Sequence, residues 1–261
     1  MGRVKLKRIF IKSVVAIFLL LLISTVSGCQ SGDNASVSQD EAIIQHNEQG
    51  IALTKTGDYE KAISEFNMAL ELDPEYADAY FNLGIVYKAM GREEQAIEEY
   101  SSAIRLDPEY AAAYYNRGNA YNQLGQMEKA IEDYTDAVRI NPEFALAYYN
   151  RGLTYAKANQ IDKAIEDFTK TISLSPKYAL AYNHRGRAYS LFGQIDQAIE
   201  DYNQAIHIDP EYAEAYANRG IANAMKGNIS EAVKDLERSM DLSSDPGFKE
   251  KVQKVLDELQ Q

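Results

Sequence analysis

Asn82, Asn116, Asn150, His184 and Asn218 recur 34 residues apart, within AYFNLG, AYYNRG (twice), AYNHRG and AYANRG. A side-chain amide carries a donor and an acceptor together, the same pair that a peptide backbone presents. Beside three members of the row stand the rings of Phe81, Tyr115 and Tyr149. This is chemistry for holding, not for making or breaking bonds. His46, His184 and His207 have no partner at metal-ligand spacing. No nucleophile elbow, phosphate loop or zinc-helix motif occurs. The acid pairs Glu132-Asp133 and Glu200-Asp201 recur with the same period and read as solvated helix faces rather than catalytic dyads. Neither an enzyme nor a cofactor is expected.

The elements that must position this row follow from the period. Units of 34 residues begin at Ile43, Ala77, Ala111, Ala145, Ala179 and Ala213, with no insertion between them. Within a unit, positions 4, 7, 8 and 11 (Tyr80, Leu83, Gly84 and Tyr87 in the second) fall on one helical face. Positions 20, 24 and 27 (Ala96, Tyr100, Ala103) mark a second helix. Position 15 is Gly, or Asn at Asn159, which suits a left-handed helix end. Position 32 is Pro74, Pro108, Pro142, Pro176 or Pro210, which stops the second helix. Gly at position 8 and Ala at position 20 let the two helices approach closely. Arg117, Arg151, Arg185 and Arg219 at position 7 lie on the core side, so their stems should pack and their heads should pair with acids. Position 6, the Asn row, lies about 160–200° around the helix from the core stripe. The helix's own core does not ask for it.

The pattern of aromatic at 4, Gly at 8, Tyr at 11, Ala at 20, aromatic at 24 and Pro at 32 resembles the tetratricopeptide repeat over residues 43–246. The end units depart from it, with His46 and Leu53 at one end and Asn223, Leu236 and Ser244 at the other. The resemblance implies an all-α, right-handed superhelix of six helix-turn-helix repeats: 43–76, 77–110, 111–144, 145–178, 179–212 and 213–246. It also implies a concave surface lined by the first helices. The Asn row would then be a ladder down a groove. Repeats spaced ~10 Å apart and an extended peptide rising ~3.3 Å per residue let each Asn meet about every third residue. The ladder would grip ~12–15 residues of a protein or peptide partner. Ladders of this kind hold substrate backbones in some members of the family. The family's carboxylate clamp for chaperone C-termini does not carry over, since position 2 has no Lys (Ile44, Asp78, Ala112, Leu146, Leu180, Glu214). Phe81, Tyr115 and Tyr149 take its place and suit apolar side chains of an extended segment. For both sets a second reading stands: amides bonded to a neighbouring helix, and rings packed between repeats. Beyond the last unit, Phe248, Val252, Val255, Leu256 and Leu259 form a stripe on a helix at 247–261. It either caps the solenoid or docks a partner.

The chain carries a net charge of −12, although residues 1–28 hold five basic residues and no acid. An acidic body repels nucleic acid, so none is expected as a partner. The basic start, the apolar run Val14 to Ile23 and the small residues after it read as a secretory signal. Its end, Val26-Ser27-Gly28-Cys29, resembles the bacterial lipoprotein box, which implies removal of residues 1–28 and acylation of Cys29, the chain's one cysteine. An uncleaved anchor is the alternative. Gln30 rather than Asp after the cysteine implies, in a host with two membranes, the outer membrane, with the protein facing the periplasm. Residues 30–41 read as a flexible tether within a linker segment 29–42. The whole reads as a lipid-anchored scaffold for proteins of the cell envelope. Self-assembly as a homodimer, or a secretion or pilus assembly role without a peptide ligand, is the alternative.

Overall fold

The computed structural model describes residues 38–260. The lipoprotein-like segment, Cys29 included, lies outside the described residues. Among the described residues there are thirteen helices and no strand. They are α1 (Gln39–Thr56), α2 (Tyr59–Leu72), α3 (Ala77–Ala89), α4 (Glu93–Leu106), α5 (Ala111–Gln123), α6 (Met127–Ile140), α7 (Ala145–Lys157), α8 (Ile161–Leu174), α9 (Ala179–Leu191), α10 (Ile195–Ile208), α11 (Ala213–Met225), α12 (Ile229–Leu242) and α13 (Pro246–Leu259).

Each unit is one odd and one even helix in close antiparallel contact, and each even helix packs on the next odd one. Successive odd helices also touch, whereas no such contact of comparable extent joins successive even helices. The array therefore curves with the odd helices inside. The turn within a repeat is made where the sequence places it. Gly57, Gly91, Gly125, Gly193 and Gly227 have φ between 70° and 83°, and Asn159 is the one non-glycine there, at 58°. The second helix ends at Asp73, Asp107, Asn141 or Asp209, whose side-chain oxygens accept the backbone N–H two residues on, at 2.9–3.2 Å. That bond turns the chain across the following proline into the next unit.

The core is a repeated knob and notch. The position-20 alanines Ala62, Ala96, Ala130, Ala164, Ala198 and Ala232 are fully buried. The position-24 side chains Phe66, Tyr100, Tyr134, Phe168, Tyr202 and Leu236 are buried as well, each adding about 1.5–3 kcal/mol of apolar burial. Where position 24 is Tyr, its hydroxyl needs a partner. Tyr134 donates to Asn119 Oδ1 at 2.7 Å, and Tyr202 bonds Ser190 Oγ at 3.2 Å. Tyr100 has none among the described residues, because Ile85 stands where Asn119 stands one repeat later. Tyr100→Phe is accordingly expected to raise stability by about 1 kcal/mol, and Tyr134→Phe to lower it by a similar amount. Urea denaturation of the two variants checks the opposite signs.

One boundary differs from the sequence reading. The first helix begins at Gln39, inside the stretch read as tether. Ser38 Oγ accepts from Glu41 N at 3.2 Å and Glu41 Oε2 accepts from Ser38 N at 3.0 Å, a capping box that starts the helix early. At the other end, Val252 and Leu256 of α13 are buried against Ala217 and Leu236, with Phe248, Val255 and Leu259 packed around them. The helix covers the last repeat.

Candidate functional site

Odd-helix position 6 is half-buried in every repeat from the second on, and its amides turn out to be shared with the preceding repeat. Asn82 Nδ2 donates to Asn47 Oδ1 at 2.8 Å, and Asn218 Nδ2 donates to Asn183 Oδ1 at 2.9 Å. Asn150 Nδ2 reaches Tyr115 Oη at 3.1 Å and Asn119 Oδ1 at 2.9 Å. The rule is that position 6 donates to position 5 of the repeat before it. Phe81 offers no acceptor, and Asn116 folds back onto Ala112 O at 2.8 Å. So the row does pack helices together. Among the described residues no protein group donates to the Oδ1 of Asn82, Asn116, Asn150 or Asn218.

The rings of the patch are likewise engaged. Phe81 lies 5.8 Å from Tyr100 and 4.8 Å from Tyr110; Tyr115 lies 6.0 Å from Tyr134 and 4.7 Å from Phe144. Tyr149, 6.0 Å from Phe168 and 5.0 Å from Tyr178, is buried. Phe81 and Tyr115 are half-buried and keep part of their surface on the odd-helix face.

His184 takes the place of Asn in the fifth repeat and sits against Tyr149 and Phe168, at 5.8 Å and 5.9 Å between ring centres. Burial, and then the Arg187 charge, push its pKa down from the ordinary 6.5 to about 4. The unfolded chain binds a proton near pH 6.5 that the folded chain refuses until about pH 4. Stability contributed by the neutral ring is therefore present above pH 6.5 and is lost as pH falls through that window. His184→Asn is expected to flatten the acid limb of the stability profile, as read from thermal melts between pH 7 and pH 4.

Arg117, Arg151, Arg185 and Arg219 pack and pair as the sequence suggests, in a more organised way than expected. Each donates from Nε and Nη2 to both oxygens of Asp133, Asp167, Asp201 or Asp235 on the even helix of its own repeat, at 2.6–2.8 Å. Nη1 reaches back to Ser101, Thr135, Thr169 or Asn203 on the even helix of the repeat before, at 2.6–3.1 Å. Tyrosines of the same helix flank the guanidinium at 5.4–5.9 Å. This corrects the reading of Glu132-Asp133 and Glu200-Asp201 as solvated faces. Glu132 and Glu200 are exposed, but Asp133 and Asp201 are buried under an arginine. The signal was in the sequence, as an Asp 16 residues after each Arg.

Two clefts open on the odd-helix face of the last three repeats. One cleft of about 360 Å³ lies between α7 and α9, walled by Leu153, Phe168, His184 and Leu191. A second of about 370 Å³ lies between α9 and α11 and is lined by Leu180, Asn183, His184 and Asn218, with Phe248 of α13. His184 and Arg187 belong to both. Among the described residues no group of three or more His, Cys, Asp or Glu is arranged to hold a metal, and no helix is long and apolar enough to cross a membrane.

Paired helices at a 34-residue period, stacked with one set inside, define an α-helical solenoid built for contact along a face. A TPR repeat model matches residues 50–91, 87–125, 118–159 and 192–227, and two tetratricopeptide repeat models match 145–178 and 168–200. The chain belongs to the tetratricopeptide repeat family, whose members are in general non-enzymatic scaffolds that bind proteins or peptides. No curated protein matches the sequence. Among solved structures it is similar to the MamA protein (31% identity, 67% of this chain and 96% of that one, TM-score 0.60). It is also similar to YrrB, described as a TPR protein with an unusual peptide-binding site (26%, 72% and 97%, 0.64). PilF of Pseudomonas aeruginosa shares the fold (21%, 82% and 98%, 0.71).

Proposed function

We propose that the protein is a lipid-anchored adaptor of the cell envelope that binds other proteins through the inner, odd-helix face, taking an extended segment along the Asn row. The observation that carries the reading is the pair of clefts between α7, α9 and α11, which share His184, the row's member in the fifth repeat, and the second of which is lined by Asn218. Similarity to YrrB, described as a TPR protein with an unusual peptide-binding site, supports a peptide-binding role. The amide oxygens of the four Asn, and the second N–H of Asn82, Asn116 and Asn218, remain for the segment's backbone, while the bonds made by Asn82, Asn150 and Asn218 tie repeats together. The anchor rests on the resemblance of residues 26–29 to the lipoprotein box.

Changing all four Asn to Ala is a poor test, since it removes inter-repeat bonds along with the ladder. Site-specific photocrosslinking in cells making the full chain separates the two roles. A crosslinking side chain is placed at Leu153 or Ile221 on the inner face and at Glu132 on the outer. Adducts with another protein from the inner positions alone support the reading. Adducts only from Glu132, or only with a second copy of the chain, reject it. In the same cells Cys29→Ser should move the protein from the membrane fraction to the soluble one; persistence in the membrane would reject the lipid anchor.

A further inference from the structure

The inner face is chemically lopsided. Odd-helix positions 9 and 13 are Leu153 and Lys157, Arg187 and Leu191, and Ile221 and Met225 in the last three repeats. Leu191, Met225 and Ile221 are 72%, 63% and 41% exposed. The same positions in the second and third repeats are Ile85 and Ala89, then Asn119 and Gln123, and none of these is an exposed large apolar side chain. The cleft between α7 and α9 is lined by two cations, Lys157 and Arg187, and by no acid. Both cations are exposed. Neither makes a hydrogen bond or an ion pair among the described residues, whereas every position-7 arginine is locked to an aspartate. Across Arg187 the second cleft holds one acid, Glu214, on its far wall. On a chain of net charge −12, two free cations over an apolar cleft form a local inversion of the field.

We propose that the inner face of the fourth to sixth repeats binds an acidic–apolar segment of a protein partner. An apolar side chain of the segment seats between Leu153, Phe168 and Leu191, and a neighbouring Asp or Glu carboxylate is met by Arg187 and Lys157. The proposal rests on the inner-face reading above and adds the partner's chemistry. Charge complementarity chooses the acid, because a guanidinium and an ammonium beside one cleft leave a carboxylate as the fitting counter-charge. The acidic body sets the limit: a long run of carboxylates is repelled by the surrounding surface, so the segment carries one or two acids among apolar residues. Exposed Leu191 and Met225 extend the apolar contact past the cleft.

The test is a selection of randomised displayed peptides against the full chain in mild detergent, repeated with Arg187→Glu/Lys157→Glu. Both replaced side chains are exposed, and circular dichroism checks that the variant keeps its helices. The expected result is enrichment of peptides with Asp or Glu next to Leu, Ile or Phe. An enriched peptide should bind Arg187→Ala about tenfold more weakly and lose affinity as salt rises. The charge-reversed chain should select Lys- or Arg-bearing peptides instead. Enriched peptides without acids, lost on Leu191→Ser but indifferent to Arg187→Glu, would overturn the acidic–apolar assignment and leave the inner-face reading standing. No enrichment with either chain would overturn both.

Discussion

Arg151→Ala is expected to lower the stability of the array by about 3–5 kcal/mol. The cost does not come from a lost surface pair. Asp167 is 5% exposed and accepts two bonds from Arg151 at 2.8 Å. Without the guanidinium a carboxylate is left buried and uncompensated. Burial already pushes the Asp167 carboxyl above its ordinary range, with Arg151 pulling the other way. Asp167→Ala should cost less, since the arginine keeps Thr135 and can swing toward water. Replacing both, as Arg151→Met with Asp167→Leu, should recover most of the loss, because a packed apolar pair of similar volume replaces an ion pair at little net cost. The double-mutant cycle by urea denaturation measures this coupling. A full, unrecovered loss in the double variant would show that packing against Tyr148 and Tyr155, not charge, is what the arginine supplies.

The second large effect comes from a glycine that has no room for a methyl group. A Cβ at residue 84 would lie 2.5 Å from Tyr100 Cε1, nearer than carbon atoms approach. The ring is fully buried and its movement is opposed by Phe81, 5.8 Å away. Gly84→Ala is therefore expected to cost about 3 kcal/mol by overpacking, against a helix propensity that alone would favour Ala by about 1 kcal/mol. Gly91→Ala is the control. Nothing stands within 4 Å of its Cβ, but φ is +70°, so the cost there is about 1 kcal/mol of backbone strain. Chemical denaturation distinguishes the two. Near-equal losses would mean that α3 and α4 separate easily to admit the methyl group.

Most of the fold was legible because each repeat states it again. A Gly or Asn at position 15 appears in all six copies and a Pro at position 32 in the first five, so turn chemistry and helical period agree from copy to copy. The early start of α1 was also written in the sequence, as Ser38 with Glu41 three residues later, but a polar composition masked it. The site was less legible. A helical wheel assigns position 6 to the side away from its own core, which is correct for one hairpin. In a stack, each odd helix has a second neighbour, and Asn82 meets Asn47 35 residues back. That pairing depends on the step between repeats, which no single-helix periodicity contains. The arginine–aspartate pairing lay between the two cases. Its 16-residue offset is visible in the sequence, yet its meaning needs the antiparallel packing of α7 on α8 to bring Arg151 over Asp167.

The arginine bridges also make the protein's resistance to tension uneven along its length. Arg117, Arg151, Arg185 and Arg219 each fasten one repeat to the one before, so every joint from the second repeat to the sixth carries a charged clasp. The joint between the first and second repeats has Leu83 at that position and relies on apolar contact and the Asn82–Asn47 bond. A pull along the chain would part the solenoid there first. The first hairpin would pay out as a slack line while the repeats that carry the clefts stay folded.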